Sequence, residues 1–205
     1  MEQRVLTTGD PKFGTLSVEV GWQPTPNWSV RKAETRLIVL HSAECRECGD
    51  AAEALAIWGG GPDRPRASWH FAADNNSITQ SVELDCAAWH AGCVNHYSVG
   101  IEQAGTARQT REQWFDPYSL AMLHNVARLV ALLCDKLTIP VAYIEADELA
   151  DWHKREGGAW GITTHAQVSE AFKVRGGHWD PGPAYPIDWL LQRVDDILAE
   201  VGLKH

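Results

Sequence analysis

Short apolar segments that end in a histidine or a carboxylate are the feature that most constrains the fold of this chain. Residues 37–40 read Leu-Ile-Val-Leu and are followed by His41, and a short apolar run bounded by charged residues is typical of a buried β-strand. Residues 98–104 and 161–165 show further strand-like patterns. We therefore expect strands whose ends present polar side chains.

Helical patterns lie between and after these strands. Residues 118–137 and 187–201 carry apolar residues at helical spacing, and residues 50–58 have a helical composition that is stopped by the glycines from Gly59 onward. Strands and helices interleave along the chain. This order predicts an α/β fold, a single domain with a central mixed β-sheet flanked by helices.

A hairpin and an N-terminal arm account for most of the remaining pattern. Residues 68–73 and 77–82 are strand-like, and the Asp-Asn-Asn turn between them tolerates positive φ. Residues 1–33 are rich in Gly, Pro, Thr and Asn, which predicts an arm packed on the domain with one edge strand at residues 16–20. We expect the main domain to span residues 34–205.

Charge and hydropathy exclude two classes of function. The chain has 18 Lys and Arg against 27 Asp and Glu, a formal net charge of -9, so a protein that binds nucleic acid through phosphate contacts is not expected. No apolar run approaches the length of a membrane span, and the N-terminus lacks a secretory signal pattern. We expect a monomer that is made in the cytoplasm and does not insert into a membrane.

Three potential metal ligands fall at the edges of predicted elements: His41, His165 and Asp180. Catalytic zinc is typically held by three protein ligands, such as two histidines and a carboxylate, with a fourth position left for water. With nine histidines and 27 acidic residues in the chain, spacing alone is weak evidence for such a site. The local patterns around these residues are more specific when they are taken together.

Six motifs occur in a fixed order. They are LIVLH at 37–41, SWHF at 68–71, AWHAG at 88–92, SVGIE at 98–102, TH at 164–165 and HWDPGPAYPIDW at 178–189. In this order they resemble the type-2 N-acetylmuramoyl-L-alanine amidases, a family of zinc amidases that includes the peptidoglycan recognition proteins. The resemblance covers about three quarters of the chain and is greatest to phage endolysins.

The resemblance implies a set of site residues and a reaction. His41, His165 and Asp180 would bind one catalytic Zn²⁺, Glu102 would act as the general base, and His178 would stabilise the oxyanion where many members carry a lysine. The substrate would be bacterial peptidoglycan, cleaved between N-acetylmuramic acid and the L-alanine of the stem peptide. The main domain would then be the zinc amidase catalytic domain.

Aromatic residues beside these motifs complete the predicted site. Trp69, His70, Trp89 and His90 would contact the substrate or hold the metal ligands in place. The tryptophans expected to line the site are Trp69, Trp89, Trp160 and Trp179. Those expected to pack within the fold are Trp22, Trp28, Trp58, Trp114, Trp152 and Trp189.

Four cysteines suggest a second site. Cys45 and Cys48 have the spacing of a zinc knuckle, and Cys86 and Cys93 bracket the AWHAG motif. Three outcomes remain open for them, namely a structural four-thiolate zinc site, two local disulfides, or free thiols.

Several functions also remain open. The expected function is that of a phage endolysin, which accumulates in the host cytoplasm and degrades the cell wall after release. One alternative is a cytoplasmic amidase that recycles anhydro-muropeptides, and another is a peptidoglycan-binding module without activity. A peptidase that uses Cys86 and His90 is a further option, although no flanking motif supports it.

Overall fold

The structure is a computed structural model that describes residues 1–11, 14–61, 66–151 and 158–203. Its strands are β1 (Glu2–Asp10), β2 (Gly14–Trp22), β3 (Trp28–Val30), β4 (Leu37–Ser42), β5 (Phe71–Ala73), β6 (Ile78–Gln80), β7 (Cys86–Ala88), β8 (Ser98–Gln103) and β9 (Gly161–Thr164). Its α-helices are α1 (Ala51–Gly59), α2 (Arg111–Trp114), α3 (Pro117–Leu137), α4 (Ala146–Ala150), α5 (His165–Ala171) and α6 (Ile187–Glu200). A short 3₁₀ helix over Gly92–Tyr97 precedes β8.

Seven of the strands form one mixed sheet in the order β1-β2-β6-β5-β8-β4-β9. Strand β4 lies between β8 and β9 and is parallel to both. Strands β3 and β7 pair separately as a small antiparallel ribbon. The predicted α/β fold, a single domain with a mixed sheet flanked by helices, is therefore confirmed.

Strand β4 is buried along its whole length because apolar groups cover both of its faces. Ile38 and Leu40 belong to the main hydrophobic core, whereas Leu37 and Val39 belong to a smaller core on the opposite face. This explains why the strand reads as a continuous apolar run rather than an alternating one. Neighbouring helices hold the central strand rigidly from both sides.

Helix α3 forms most of the main core. It packs on β1, β2 and β5 and against α6. Its start is well defined, since Pro117 occupies the first turn and the Asp116 side chain accepts a hydrogen bond of 2.9 Å from the Ser119 amide. Its end is marked by Thr138 in the left-handed region at φ 55°. The structure confirms both long predicted helices to within one residue.

The N-terminal arm contains more regular structure than its sequence predicts. Two nine-residue strands, β1 and β2, pair over their full length, and β2 joins the main sheet through a parallel pairing with β6. The predicted strand at residues 16–20 is confirmed as part of β2, but its expected position at the sheet edge is wrong, because the edge strand is β1. Strand β1 is mostly polar and half exposed, which is typical of a sheet edge but conceals the strand in the sequence.

The predicted hairpin is confirmed with shorter strands, since β5 and β6 pair antiparallel. Asp74 shapes the turn, where its Oδ1 accepts hydrogen bonds from the amides of Asn76 and Ser77 at 3.0 and 2.8 Å. Within the described ranges, no helix combines the length and the apolar character needed to cross a membrane. The domain boundary at residues 33 and 34 stays a prediction, and Trp152 lies outside the described residues.

We predict that Asp116→Ala lowers the free energy of unfolding by about 1 kcal/mol, because it removes the side-chain cap of α3. Urea unfolding followed by circular dichroism measures the change. Asp195→Ala is the matched control, because Asp195 is an exposed carboxylate inside α6 and away from a helix start. Equal stability of the two variants would contradict the capping role.

Candidate active site

The predicted site residues meet because three neighbouring parallel strands end at the same edge of the sheet. His41 of β4 is in register with Glu102 of β8. Leu40 is in register with Thr164 of β9, so His165 follows at the level of His41. His165 begins α5 instead of ending the strand as predicted. Ligand sites in α/β sheets form at the carboxyl ends of strands, as they do here.

Asp180 reaches this edge from the loop between α5 and α6. Its carbonyl oxygen accepts a hydrogen bond of 2.9 Å from the Ala166 amide. Further along the loop, the Tyr185 hydroxyl donates to Oε1 of Gln103 at 2.7 Å, and Nε2 of Gln103 donates to the carbonyl of His41 at 2.9 Å. These bonds connect the loop directly to the ends of β4 and β8.

His41, His165 and Asp180 form the one group among the described residues in which three or more ligand atoms could hold a metal ion. All three residues are buried, and their ligand atoms lie within 4.8 Å of one another. Nδ1 of His41 lies 3.2 Å from Oδ2 of Asp180, and Nδ1 of His165 lies 3.3 Å from Oδ1. Two ligands of a tetrahedral zinc ion are about 3.3 Å apart, so the residues fit such an ion.

A chain of hydrogen bonds orients His41. Its Nε2 lies 3.0 Å from Nδ1 of His90, whose Nε2 lies 3.1 Å from Oγ of Ser98. The Ser98 hydroxyl donates to the carbonyl of Val94 at 2.8 Å, so its oxygen accepts the proton of His90. His90 therefore accepts from Nε2–H of His41, which leaves Nδ1 of His41 unprotonated and directed at Asp180. This arrangement is typical of metal-binding histidines.

His70 lies behind this chain and is fully buried. Its Nδ1 accepts a hydrogen bond of 3.0 Å from the Gly100 amide, and its Nε2 lies 3.1 Å from the carbonyl of Cys86. Burial lowers the pKa of His70 to about 3, with a further contribution from the charge of Arg31. His70 is thus a neutral residue that supports the strands behind the site, and it does not line the cleft.

Glu102 lies beside this candidate metal-binding group, with Oε1 3.9 Å from Nδ1 of His41. Burial raises the pKa of Glu102 to about 8, and the charges of Asp180 and Glu44 add to the increase. Its Oε2 is buried and has no hydrogen-bond partner in the described part of the chain. A cation in the neighbouring group would favour the carboxylate form, and a water molecule on that cation would supply the missing partner.

His178 lies at the entrance to the site. Its side chain is 64% exposed, and its ring stacks on that of His165 with the centroids 4.0 Å apart. Its Nδ1 is 3.5 Å from Oδ1 of Asp180, and burial lowers its pKa, with a further contribution from His165. The structure thus places His178 against the site, as the sequence predicts, but on the solvent side.

The site opens into a cleft of about 700 Å³. Trp69 and Trp89 line it as predicted, and Trp58 lines it as well, with its ring stacked on Trp69. The sequence assigned Trp58 to packing alone. The sequence did contain a signal for this role of Trp58, because the residues of α1 that line the cleft recur at helical spacing. They are Ala51, Ala54, Leu55 and Trp58.

Two other tryptophans lie elsewhere than predicted. Trp179 lines a separate pocket, and Trp160 packs its ring near the guanidinium of Arg36 at 5.3 Å. Each neighbours a site motif in the sequence. Proximity in sequence fails for Trp179 because its side chain lines the separate pocket while the neighbouring Asp180 lines the cleft.

The cysteines do not form a second metal site. Cys45, Cys48, Cys86 and Cys93 are free thiols, and neither a disulfide nor a four-thiolate cluster brings them together. Cys45 and Cys48 line the cleft, whereas Cys86 and Cys93 do not. The ring nitrogens of His90 contact His41 and Ser98, so the structure also contradicts a peptidase that uses Cys86 and His90.

A buried group of two histidines and an aspartate, with a further carboxylate beside it in a cleft, defines a class of hydrolases that use a metal ion. The model of the N-acetylmuramoyl-L-alanine amidase family matches residues 31–183. The chain therefore belongs to this family of peptidoglycan amidases, and it is an enzyme with that activity.

Relatives and solved structures agree with this assignment. N-acetylmuramoyl-L-alanine amidase A of Achromobacter lyticus is 25% identical over 181 residues, which are 82% of this chain and 89% of that protein. The structure of the Staphylococcus aureus hydrolase AmiA in complex with its ligand matches this chain with a TM-score of 0.61 at 18% sequence identity. The match covers 90% of this chain and 87% of the AmiA chain. The endolysin LysCS of Clostridium intestinale has a TM-score of 0.53 at 15% identity, with coverage of 90% and 96%. The two structures share the fold.

We predict that Gly100→Ala lowers the free energy of unfolding by about 1–3 kcal/mol. A Cβ atom at this position would lie 2.5 Å from Cγ of His90, so the imidazole that contacts His41 would have to move. Urea unfolding measures the effect. Gly60→Ala is the control, because a Cβ there meets Thr25 at an ordinary 3.6 Å. A Gly100→Ala variant as stable as this control would show that the close packing of His90 is dispensable.

Proposed function

We propose that this chain is a zinc-dependent amidase that cleaves the bond between the lactyl group of N-acetylmuramic acid and the L-alanine of the stem peptide. The observation that carries the proposal is the spacing of His41, His165 and Asp180, whose nitrogen and oxygen atoms are 3.2 and 3.3 Å apart. Two imidazoles and one carboxylate are a typical ligand set for catalytic zinc. The family assignment and the adjacent Glu102 agree with this role.

Zinc bound by these residues would act as a Lewis acid that polarises the scissile carbonyl and acidifies a water molecule. The protein supplies the geometry for it. His90 and Ser98 fix the orientation of His41, and the loop that carries Asp180 is tied to the strand ends through Gln103. A site with ligands already held in place loses little conformational entropy when the ion binds.

Glu102 is the proposed general base and acid. Its carboxylate takes a proton from the attacking water while the oxygen adds to the carbonyl carbon. It then gives this proton to the nitrogen of L-alanine as the carbon–nitrogen bond breaks. The products are a free lactyl carboxylate and a free amino terminus, so atoms and charges balance. Burial of Glu102 favours the return of the proton, because burial raises the pKa of the carboxyl.

His178 is the proposed oxyanion stabiliser. Its ring lies against His165 and on the open side of the site, where the substrate carbonyl has to enter. An imidazole N–H in this position can donate to the oxygen on which negative charge develops. Trp69 and Trp89 would contact the substrate, whereas His70 and His90 would act by holding other residues in place.

We further propose that the enzyme acts as a phage endolysin on intact cell walls. The endolysin LysCS shares its fold, and the motifs of the sequence resemble those of phage enzymes. The cleft is open enough to admit part of a polymer. A recycling amidase of the same family would instead require small, soluble muropeptides.

We predict that the purified enzyme releases free amino-terminal L-alanine from peptidoglycan, as read by mass spectrometry of the digest. Removal of metal by a chelator abolishes the release, and added Zn²⁺ restores it. The reason is that the proposed ligands cannot polarise the substrate carbonyl without the ion. A thiol-blocking reagent has no comparable effect. Release of other amino termini, or activity that survives complete metal removal, would contradict the proposal.

The physiological setting is tested in the same assay with two substrates. Intact sacculi lose turbidity if the enzyme is an endolysin. Activity confined to soluble anhydro-muropeptides would indicate a recycling enzyme instead. A protein that binds sacculi without cleaving either substrate would be a recognition module.

We predict that Glu102→Gln lowers kcat by about 10²–10⁴-fold, because it removes the proton acceptor and keeps the size of the side chain. Zinc content, measured by mass spectrometry of the native protein, stays at one ion per chain. The matched control is Glu44→Gln, a second glutamate of the cleft, whose Oε1 accepts hydrogen bonds from the Ala107 amide and the Ser42 hydroxyl. We expect a far smaller effect for the control. Equal losses in both variants would argue for a general electrostatic effect.

A further inference from the structure

A second pocket lies beside the active-site cleft. It has a volume of about 330 Å³, and we call it the aromatic pocket after three of its lining residues, Tyr143, Trp179 and Tyr185. Thr164 and Gln167 contribute polar groups to the lining. Tyr143, Gln167 and Trp179 have no role in the proposed amidase mechanism.

The aromatic pocket is separated from the cleft by a wall about one residue thick. Thr164 lines the pocket, and its neighbour His165 lines the cleft. Trp179 lines the pocket, and its neighbour Asp180 lines the cleft. Because consecutive Cα atoms are about 3.8 Å apart, the two cavities adjoin along this wall.

The two cavities differ in charge. The cleft contains Glu44, Arg46, Glu102 and Asp180, which suits a peptide with charged groups. None of the described side chains that line the aromatic pocket is ionised at neutral pH. Aromatic rings, hydroxyls and an amide are suited to a neutral ligand with an apolar ring face and many hydroxyl groups. An N-acetylated hexose has this chemistry.

The exposure of Trp179 is a second observation. Its side chain is large and apolar, yet the residue is 49% exposed, and it lies in the loop that Tyr185 bonds to Gln103. An exposed aromatic ring at a cavity can stack on a ligand that enters the cavity. The Tyr143 hydroxyl lies 3.4 Å from Oγ1 of Thr164, a long contact that leaves the tyrosine able to bond a ligand, whereas Oγ1 of Thr164 also accepts from the Gln167 amide at the start of α5.

We propose that the aromatic pocket binds a sugar of the glycan strand next to the muramic acid whose amide is cleaved, with the Trp179 ring stacked on the sugar. The inference rests on the proposed function, because it takes peptidoglycan as the substrate. Its consequence is a preference for glycan polymers over substrates with a single sugar. The stem peptide remains the ligand of the charged cleft.

The test compares soluble glycan strands bearing stem peptides with N-acetylmuramoyl tripeptide, which has one sugar. Trp179→Ala lowers the ratio of kcat/KM for the polymer to that for the single-sugar substrate by about two- to tenfold, as expected for the loss of one aromatic contact. The control is Trp28→Ala, which removes a tryptophan of similar exposure, 44%, that lines neither cavity. Equal ratios in both variants would overturn the proposal.

A binding measurement separates this inference from the proposed function. Isothermal titration of the wild-type protein with a tetramer of N-acetylglucosamine gives measurable binding, which is lost in Trp179→Ala and weakened in Tyr143→Phe. Absence of binding to the wild type, or equal binding to Trp179→Ala, would overturn the inference even if amidase activity is present. A wild type without amidase activity would refute the proposed function, and the titration would still decide whether the pocket binds sugars.

Discussion

The parallel pairing of β4 with β8 and β9 is the constraint on which the rest of the structure depends. Residues in register on parallel strands project to the same face, so the pairing places His41 beside Glu102 and brings His165 to the same level. Both faces of β4 are covered by apolar groups, and the strand cannot slip by one residue without exchanging those faces. The core that stabilises the fold therefore also sets the positions of the proposed catalytic groups.

The hydrogen bonds around His41 are satisfied by one arrangement of donors and acceptors. The bonds from His41 through His90 and Ser98 to the carbonyl of Val94 alternate donors and acceptors without a conflict. Reversing one ring would leave a buried polar atom without a partner, at a cost of about 1–3 kcal/mol. The close approach of His90 to the strand requires Gly100, because a side chain there would occupy the same space. A residue without a side chain thus contributes to the orientation of a proposed metal ligand.

The sequence predicted the parts of the site that lie at strand ends. It missed the parts whose position depends on which way a helix or a side chain faces in the folded domain. His41 and Glu102 could be placed at strand ends because short apolar runs lead up to them, and their roles were implied by the resemblance of the six motifs to the amidase family. Trp58 was missed because its role depends on which way α1 faces. Trp179 was wrongly assigned to the cleft, because its neighbour Asp180 lines the cleft and Trp179 lines the separate pocket. The first strand escaped prediction because a polar edge strand resembles a loop.

Three carboxylates, those of Glu44, Glu102 and Asp180, line the cleft. Repulsion between them when they are ionised lowers the stability of the folded domain. The charges of Asp180 and Glu44 raise the pKa of Glu102, so the three groups oppose one another when all are ionised. Burial raises the pKa of Asp180, but the adjacent imidazoles of His165 and His41 outweigh it and lower that pKa, whereas Oε2 of Glu102 has no hydrogen-bond partner in the described part of the chain. A divalent cation would attract all three carboxylates at once. Because an ion that binds only the folded state stabilises it by mass action, metal binding would couple the loop that carries Asp180 to the ends of β4 and β8.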